Sequence, residues 1–441
     1  MFALSMERPT DASGSSGKPA AAPARTSIPG LWSIFFVVFL DILGFSLVLP
    51  FLAQEARDTF HTTELTGTLL GAIYSLMQFL FVPVWGRVSD RVGRRPVLVW
   101  SVLATAVGMT CLGLGLMFAH SVAWLFVARA ASGIATANLG TASAYIADVT
   151  KPEERARGMG MIGMAFGFGF IFGPALGGAL SGIPVAGRTG VVPCFIAAGL
   201  SVANLAWVYF KLRESLPPEK RSTQKRSLAP LNLEAAREAF ARPGIALAVL
   251  VNFVLILSFT VLDQTFRFFT EDRFGMTALE TGLVLCFIGV VAALVQGGLI
   301  RPLAKRFDEA QLIRAGTAIQ ALAFAGLAAS PSLGRVALYV AGGLLALGNG
   351  LTQPSVSAYV SKRADPQAQG GTLGTNQSAA SLARVFGPAL GGWLYGSFGS
   401  RSPYVAGAVG MVVATIIALF LVASNSSGSS SAQRKTSTQT S

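Results

Sequence analysis

The run Gly173-Pro174-Ala175-Leu176-Gly177-Gly178 returns, letter for letter, as Gly387-Pro388-Ala389-Leu390-Gly391-Gly392. Each copy trails a glycine-opened basic stretch at nearly the same distance. Gly86 lies 87 residues before the first copy, and Gly298 lies 89 residues before the second. Glycines four apart let a neighbouring helix approach closely, and a proline removes one backbone hydrogen bond. Each run therefore reads as a helix that is packed yet bendable, and two equivalent copies make the chain a duplication.

The composition limits what those halves can be. Of 441 residues, 52% are hydrophobic and 12% charged, against roughly 25% charged in soluble domains. Glycine is abundant, at 49 residues. A single soluble enzyme domain, a disordered chain and a coiled coil are excluded, which leaves a polytopic membrane protein. Twelve apolar runs approach the roughly 20 residues that a spanning helix needs. They begin near Leu31, Thr66, Val97, Val122, Arg157 and Val191, then near Ile245, Leu279, Leu312, Val336, Gly371 and Pro403. The expected fold is thus all-α, with twelve transmembrane helices in two pseudo-symmetric six-helix bundles, residues 31–210 and 245–423. Residues 211–244 form a cytoplasmic linker with an amphipathic piece at Leu231–Phe240, and 1–30 and 424–441 read as disordered tails.

The net charge of +13 is mostly a matter of topology rather than a nucleic-acid footprint. Twenty-one of the 34 Lys and Arg residues fall in the even-numbered connections and five in the odd-numbered ones. Basic loops stay in the cytoplasm, so the even connections and both termini are expected there. Cys111, Cys194 and Cys286 all lie inside apolar segments and read as small core residues, not as a disulfide framework or a zinc site.

The connection after the second run is Gly86-Arg87-Val88-Ser89-Asp90-Arg91-Val92-Gly93-Arg94-Arg95-Pro96-Val97-Leu98. Its glycines permit a tight helix–loop–helix, and Asp90 among arginines can hold them by charge-assisted hydrogen bonds. An arginine-rich positive-inside loop would account for the charges, though not for their order. The string resembles the signature loop of the major facilitator superfamily. Tyr74 through Leu98, and Ala144-Tyr145-Ile146-Ala147-Asp148-Val149-Thr150, are similar to the tetracycline-efflux branch of its drug:proton antiporters. The likeness covers all twelve spans and is stronger in the first half.

The resemblance implies that Asp90 clamps the bundles together at the cytoplasmic face in the outward-open state. Gly86, Arg91, Gly93, Arg94, Arg95 and Asp148 belong to the same gate; a helix-end carboxylate facing water is the alternative for Asp148. Gly169, Gly173, Pro174, Gly177 and Gly178 correspond to the antiporter helix, and an ordinary small-residue packing face is compatible with that role. The tetracycline–metal exporters carry acids at the positions of Gly108 and Gln320. Both acids are absent here, which argues against recognition of a cationic tetracycline–metal chelate.

A charge at the bilayer centre costs at least about 2.5–3.5 kcal/mol, so intramembrane charges point to function. Asp41 lies about ten residues into the first span, roughly 15 Å along it. Arg129 lies in the fourth span at a depth compatible with pairing. Burial favours the neutral acid and a nearby arginine the charged one. A cavity that alternately wets and dries would therefore load and unload Asp41. The family carries an acid and an arginine at these positions. Two readings stay open: Asp41 carries the exchanged proton with Arg129 tuning it, or the two form a static pair that holds register. Asp263 and Arg267 share a face near the outer end of the seventh span and read as a partly solvated pair. Gln78, Asn138, Gln353 and Arg384 are the candidates for substrate contact. Arg384 has no partner near it in sequence; binding an anionic substrate and pairing across the cavity both stay open.

The expected activity is proton-coupled export of small amphipathic compounds by alternating access in a bacterial inner membrane. A facilitator or importer of a nutrient or organic anion is the alternative, and a non-transporting membrane sensor a third reading. The partners are a small-molecule substrate, protons and the lipid bilayer, with a monomer as the unit. No nucleic acid, metal or cofactor is implied: the two histidines, His61 and His120, lie near loops, and no nucleophile elbow, phosphate loop or ligand cluster is present. The chain does not read as an enzyme.

Overall fold

The computed structural model describes residues 28–136, 139–150, 155–221, 237, 240–364 and 369–437. The linker's amphipathic piece, apart from Arg237 and Phe240, lies outside them, as does the expected tail up to residue 27. The chain folds into twelve spans, each beginning within three residues of its expected start. The first half contributes Ile28–Phe60, Glu64–Val92, Arg94–Phe118, a fourth span in two pieces (Ala123–Ala135 and Leu139–Val149), Arg155–Ser181 and Val191–Lys211. The second half contributes Pro243–Phe274, an eighth span (Ala278–Leu294, a π turn at Val295–Leu299, Ile300–Arg306), Glu309–Leu333, Arg335–Arg363, Gln369–Phe398 and Ser402–Ser437. Ten of these helices are long and apolar enough by themselves to cross a membrane. The two described pieces of the fourth, 13 and 11 residues, are each too short, and in the eleventh Asn376, Gln377 and several Gly and Ser residues dilute the hydropathy.

The ends follow from local chemistry. Thr63 accepts a hydrogen bond from Thr66 N at the start of the second span (3.3 Å). Thr277 with Glu280, and Asp308 with Gln311, form capping boxes at the eighth and ninth. Two expectations are corrected here. Gly86 and Gly298 open no turns: both lie inside helices, and the turn between the second and third spans is Gly93 alone, at φ +115°. A side chain at that φ would be strained, which is why glycine stands there. The last helix also runs on to Ser437, past the expected end at residue 423. No proline follows Pro403 to stop it, and each added residue supplies its own backbone hydrogen bond.

The repeated glycine run explains the assembly. Gly169, Gly173 and Gly177 lie against Ile42, Ser46 and Leu47 of the first span, so closely that a Cβ on any of them would overlap its neighbour. In the second half Gly387 and Gly391 lie against Thr260 and Val261 of the seventh span in the same way. Every partner is displaced by 214 residues, the spacing between the two runs. The next glycine of each run joins the halves: Gly178 meets the Ala278 carbonyl and Leu279 Cα, and Gly392 meets Leu65 Cα and Thr68. The bundles thus touch along spans five and eight and along spans two and eleven.

All these contacts lie toward the face of the odd-numbered connections, called the far face below. Toward the opposite, basic face the same four spans have space beside Gly86, Gly163, Gly297 and Gly374, where an added Cβ would meet nothing within 4 Å. The halves are closed at the far face and parted at the basic face.

Candidate functional site

The apolar core of the first half comes in two blocks. One, toward the far face, holds Leu47, Leu70, Met109, Leu125 and Cys194; the other holds Ile34, Leu98, Ile146 and Val208. A polar layer lies between them, level with the point where the halves part. It is built around the C-terminal end of the helix Ala123–Ala135, where side chains from other spans donate to backbone carbonyls. Ser101 donates to the Ala135 carbonyl, Trp85 Nε1 to Ile134 O (2.6 Å) and Gln78 Nε2 to Thr136 O (3.4 Å).

Arg129 lies one helical turn before Gly133, which presses span four onto the Tyr74 backbone. The arginine is 1% exposed. Its guanidinium carbon is 4.2 Å from the centre of the Tyr74 ring and 5.9 Å from that of Phe45, and those rings stack on each other at 5.0 Å. Nε donates to Leu70 O (3.4 Å), while Nη2 is buried with no hydrogen-bond partner. The hydroxyls of Tyr74 and Thr136 share a hydrogen bond of 2.6 Å.

Asp41 is half-buried, one residue before Ile42 on the helix that Gly169 packs against. The pairing considered between Asp41 and Arg129 is not what the structure forms: no ion pair among the described residues joins them. Aromatic faces offer a desolvated guanidinium a cation–π partner, and close packing at Gly133 places Arg129 on that partner. Tyr74, Phe45 and Thr136 were missed in the sequence because aromatic and hydroxyl residues in apolar spans are indistinguishable there from ordinary packing residues.

The remaining candidates spread over the molecule. Gln353 is exposed on span ten, and Asn138 lies outside the described residues. Gly108 and Gln320 serve contacts between spans. A Cβ on Gly108 would strike Ser132 Oγ, and Gln320 Nε2 donates to Thr352 Oγ1 (3.2 Å). Asp263 and Arg267 do not pair. Asp263 accepts from Gln264 Nε2 (2.9 Å), while Arg267 reaches Glu271 (3.4 Å) and the Met276 carbonyl (3.2 Å). A shared helical face allows either partner, and Glu271 is the one nearer the solvated end.

At the basic face Arg94 binds Asp90 (2.5 Å), Asp148 (3.1 Å) and Ser89 Oγ (2.7 Å). All of these belong to the first half, so in this state Asp90 organises its own bundle. Span three begins with two arginines, the wrong charge for a helix N-terminus. Glu214, from just beyond span six, supplies the missing cap: its carboxylate accepts from Arg94 N (2.8 Å) and Arg95 N (3.1 Å). At the far face Arg57 reaches Glu64 (3.5 Å) in its own half, and Glu271 (3.6 Å) and Asp272 (3.8 Å) in the other. Phe268 lies 4.9 Å beneath it. Neither Glu214 nor this cluster was apparent in the sequence, since each closes contacts over more than a hundred residues.

Twelve spans in two duplicated bundles, parted at one face around a polar layer, define a secondary transporter. The family model described as Major Facilitator Superfamily matches residues 34–374 and 299–440. The chain belongs to that superfamily and is a transporter, not an enzyme. It is 35% identical over 361 residues to the class C tetracycline resistance protein of Escherichia coli, covering 81% of this chain and 87% of that one. It is 30% identical over 427 residues to major facilitator superfamily domain-containing protein 10 of Bos taurus, covering 84% and 88%. Among solved structures, the human organic anion transporter MFSD10 (TETRAN) matches with a TM-score of 0.67 at 25% identity, over 88% of this chain and 99% of that one. A bacterial homologue of the human lysosomal transporter Spinster shares the fold, with a TM-score of 0.71 at 18% identity over 91% and 96%.

Proposed function

We propose that this transporter is a proton-coupled antiporter exporting small amphipathic compounds, with Asp41 carrying the exchanged proton. The observation that carries the reading is the place of Asp41: a half-buried acid in the first span, one residue before the Ile42 that Gly169 packs against, level with the parting of the halves. As the cavity alternates between wet and dry, water favours the charged form of the acid and burial the neutral one. Protonation then shifts the balance between the two open states, which is what coupling requires. On this reading the basic face is cytoplasmic, the structure is the inward-open state, and the membrane is a bacterial inner membrane. Similarity to tetracycline resistance proteins supports a drug exporter. The positions of Gly108 and Gln320 within helix contacts count against a tetracycline–metal chelate as substrate.

The test uses proteoliposomes with an imposed pH gradient. Substrate-induced proton release is expected from the wild type, and Asp41→Asn is expected to abolish gradient-driven transport while leaving a folded protein. Undiminished coupled transport by Asp41→Asn would overturn the assignment. A facilitator of organic anions is the second reading, favoured by Arg384, which forms no ion pair among the described residues; it predicts transport without proton release.

A further inference from the structure

We infer that Arg384 is the charge-selecting group of the substrate site, so that the carrier takes amphipathic molecules bearing a carboxylate or sulfonate. The inference rests on the transporter fold and deepens the reading of the central cavity, but it does not depend on proton coupling.

The register of span eleven places Arg384. Gly396 lies by Glu64 Oε2 (3.6 Å), Gly392 on Leu65 Cα (2.8 Å), and Pro388 Cγ by the position of a Gly71 Cβ (3.5 Å). Steps of four keep these three residues on one helical face, turned to span two. Arg384 is the next residue along that face, one turn toward the basic side. The two helices run antiparallel, so the segment of span two opposite it begins just after Gly71, at Tyr74. Arg384 therefore stands between the contact of the two halves at Gly71 and Pro388 and the open space beside Gly86 and Gly374.

Its surroundings do not neutralise it. Arg384 is half-buried, and among the described residues no carboxylate forms an ion pair with it. The other arginines within spans are provided for: Arg267 by Glu271, Arg129 by two aromatic rings. Packing does not require the arginine either. The equivalent position in the first half is Phe170, stacked on Phe166 at 6.3 Å. The duplicated scaffold thus accepts an apolar side chain here. Behind Arg384, Ala383 and Ala380 pack on Ile256, flanked by the partly buried Phe253 and Leu257. A guanidinium beside an apolar wall matches a molecule with one anionic group and a hydrophobic body, the anion forming charge-assisted hydrogen bonds in a site of low dielectric.

The experiment measures binding to the purified full chain in detergent at fixed pH, by the ligand dependence of thermal unfolding. The probes are matched pairs: indole-3-acetate with indole-3-acetamide, and 4-toluenesulfonate with 4-toluenesulfonamide. Wild type is expected to bind each anion about tenfold or more tighter than its neutral partner, as an unmatched buried charge implies. Arg384→Gln is expected to remove that preference while leaving affinity for the amides within about twofold, and Arg384→Lys to retain part of it. No anion preference in the wild type, absence of acid binding included, overturns the inference. Equal weakening of acids and amides in Arg384→Gln overturns it too, since that pattern marks a structural role. If Arg384→Gln does not fold, the wild-type pairs and Arg384→Lys decide. No gradient is present, so failure of Asp41 as the proton carrier would leave this outcome untouched.

Discussion

Arg57 and Glu271 meet across the far face, Nη2 to Oε2 at 3.6 Å, and they occupy equivalent positions in the two copies of the repeat, 214 residues apart. The pair therefore sits astride the pseudo-symmetry axis, where opposite charges from the two halves are brought together when that face closes. At 21% and 38% side-chain exposure the pair alone is worth about 0.2–1 kcal/mol. It belongs to a cluster, however: Arg57 also reaches Glu64 and Asp272, and Tyr395 Oη donates to Asp272 (2.6 Å).

Removing Arg57 should therefore open the far face without unfolding either bundle. With Arg57→Ala, a loss of about 1–2 kcal/mol shifts the ratio of the two states by roughly 5–30-fold. Spin labels at Pro184 and Arg273, on opposite halves of that face, should report a larger population of long distances. An unchanged distance distribution would show that the cluster does not hold the face closed.

The glycine contacts predict opposite traps. Gly178→Leu places a side chain on the Ala278 carbonyl and should prevent far-face closure, whereas Gly163→Leu fills space that is open in this state and should hinder closure of the basic face. Both substitutions should abolish transport, with the labels above moving apart in the first and staying close in the second.

Glu214→Gln tests the long-range cap. The amide keeps one acceptor but loses the charge that the arginine-led terminus of span three lacks, so a cost of about 0.5–2 kcal/mol is expected. A lower Tm together with greater amide exchange at Arg94 and Arg95 would report it; Glu214→Asp should fall between the two.

Tyr74→Leu removes the ring beneath Arg129, a cation–π contact worth about 2 kcal/mol or more when desolvated. The buried guanidinium then needs another partner, and Asp41 is the acid at that level. Coupled transport should fall as Arg129 draws on Asp41, and Tyr74→Phe should behave like wild type because it keeps the ring. Equal loss in both variants would assign the effect to the phenol hydroxyl instead.

The sequence by itself determined the twelve spans, their starts, the duplication and the superfamily. Hydrophobic runs of membrane length, loop charge and a repeated glycine motif are local properties, and the bilayer imposes a single answer on them. The role of Gly169, Gly173 and Gly177 as a packing face was legible for the same reason. Which charges pair was decided only by the tertiary structure. Asp41 with Arg129, and Asp263 with Arg267, were plausible by depth and spacing, yet Arg129 lies on Tyr74 and Arg267 on Glu271. A buried charge takes whatever partner close packing delivers, and Gly133 and the duplicated glycine runs set that packing across spans remote in sequence. The face on which the halves close is a difference between two states of one chain, and it became visible only when Gly178 was found against Ala278 with open space beside Gly163.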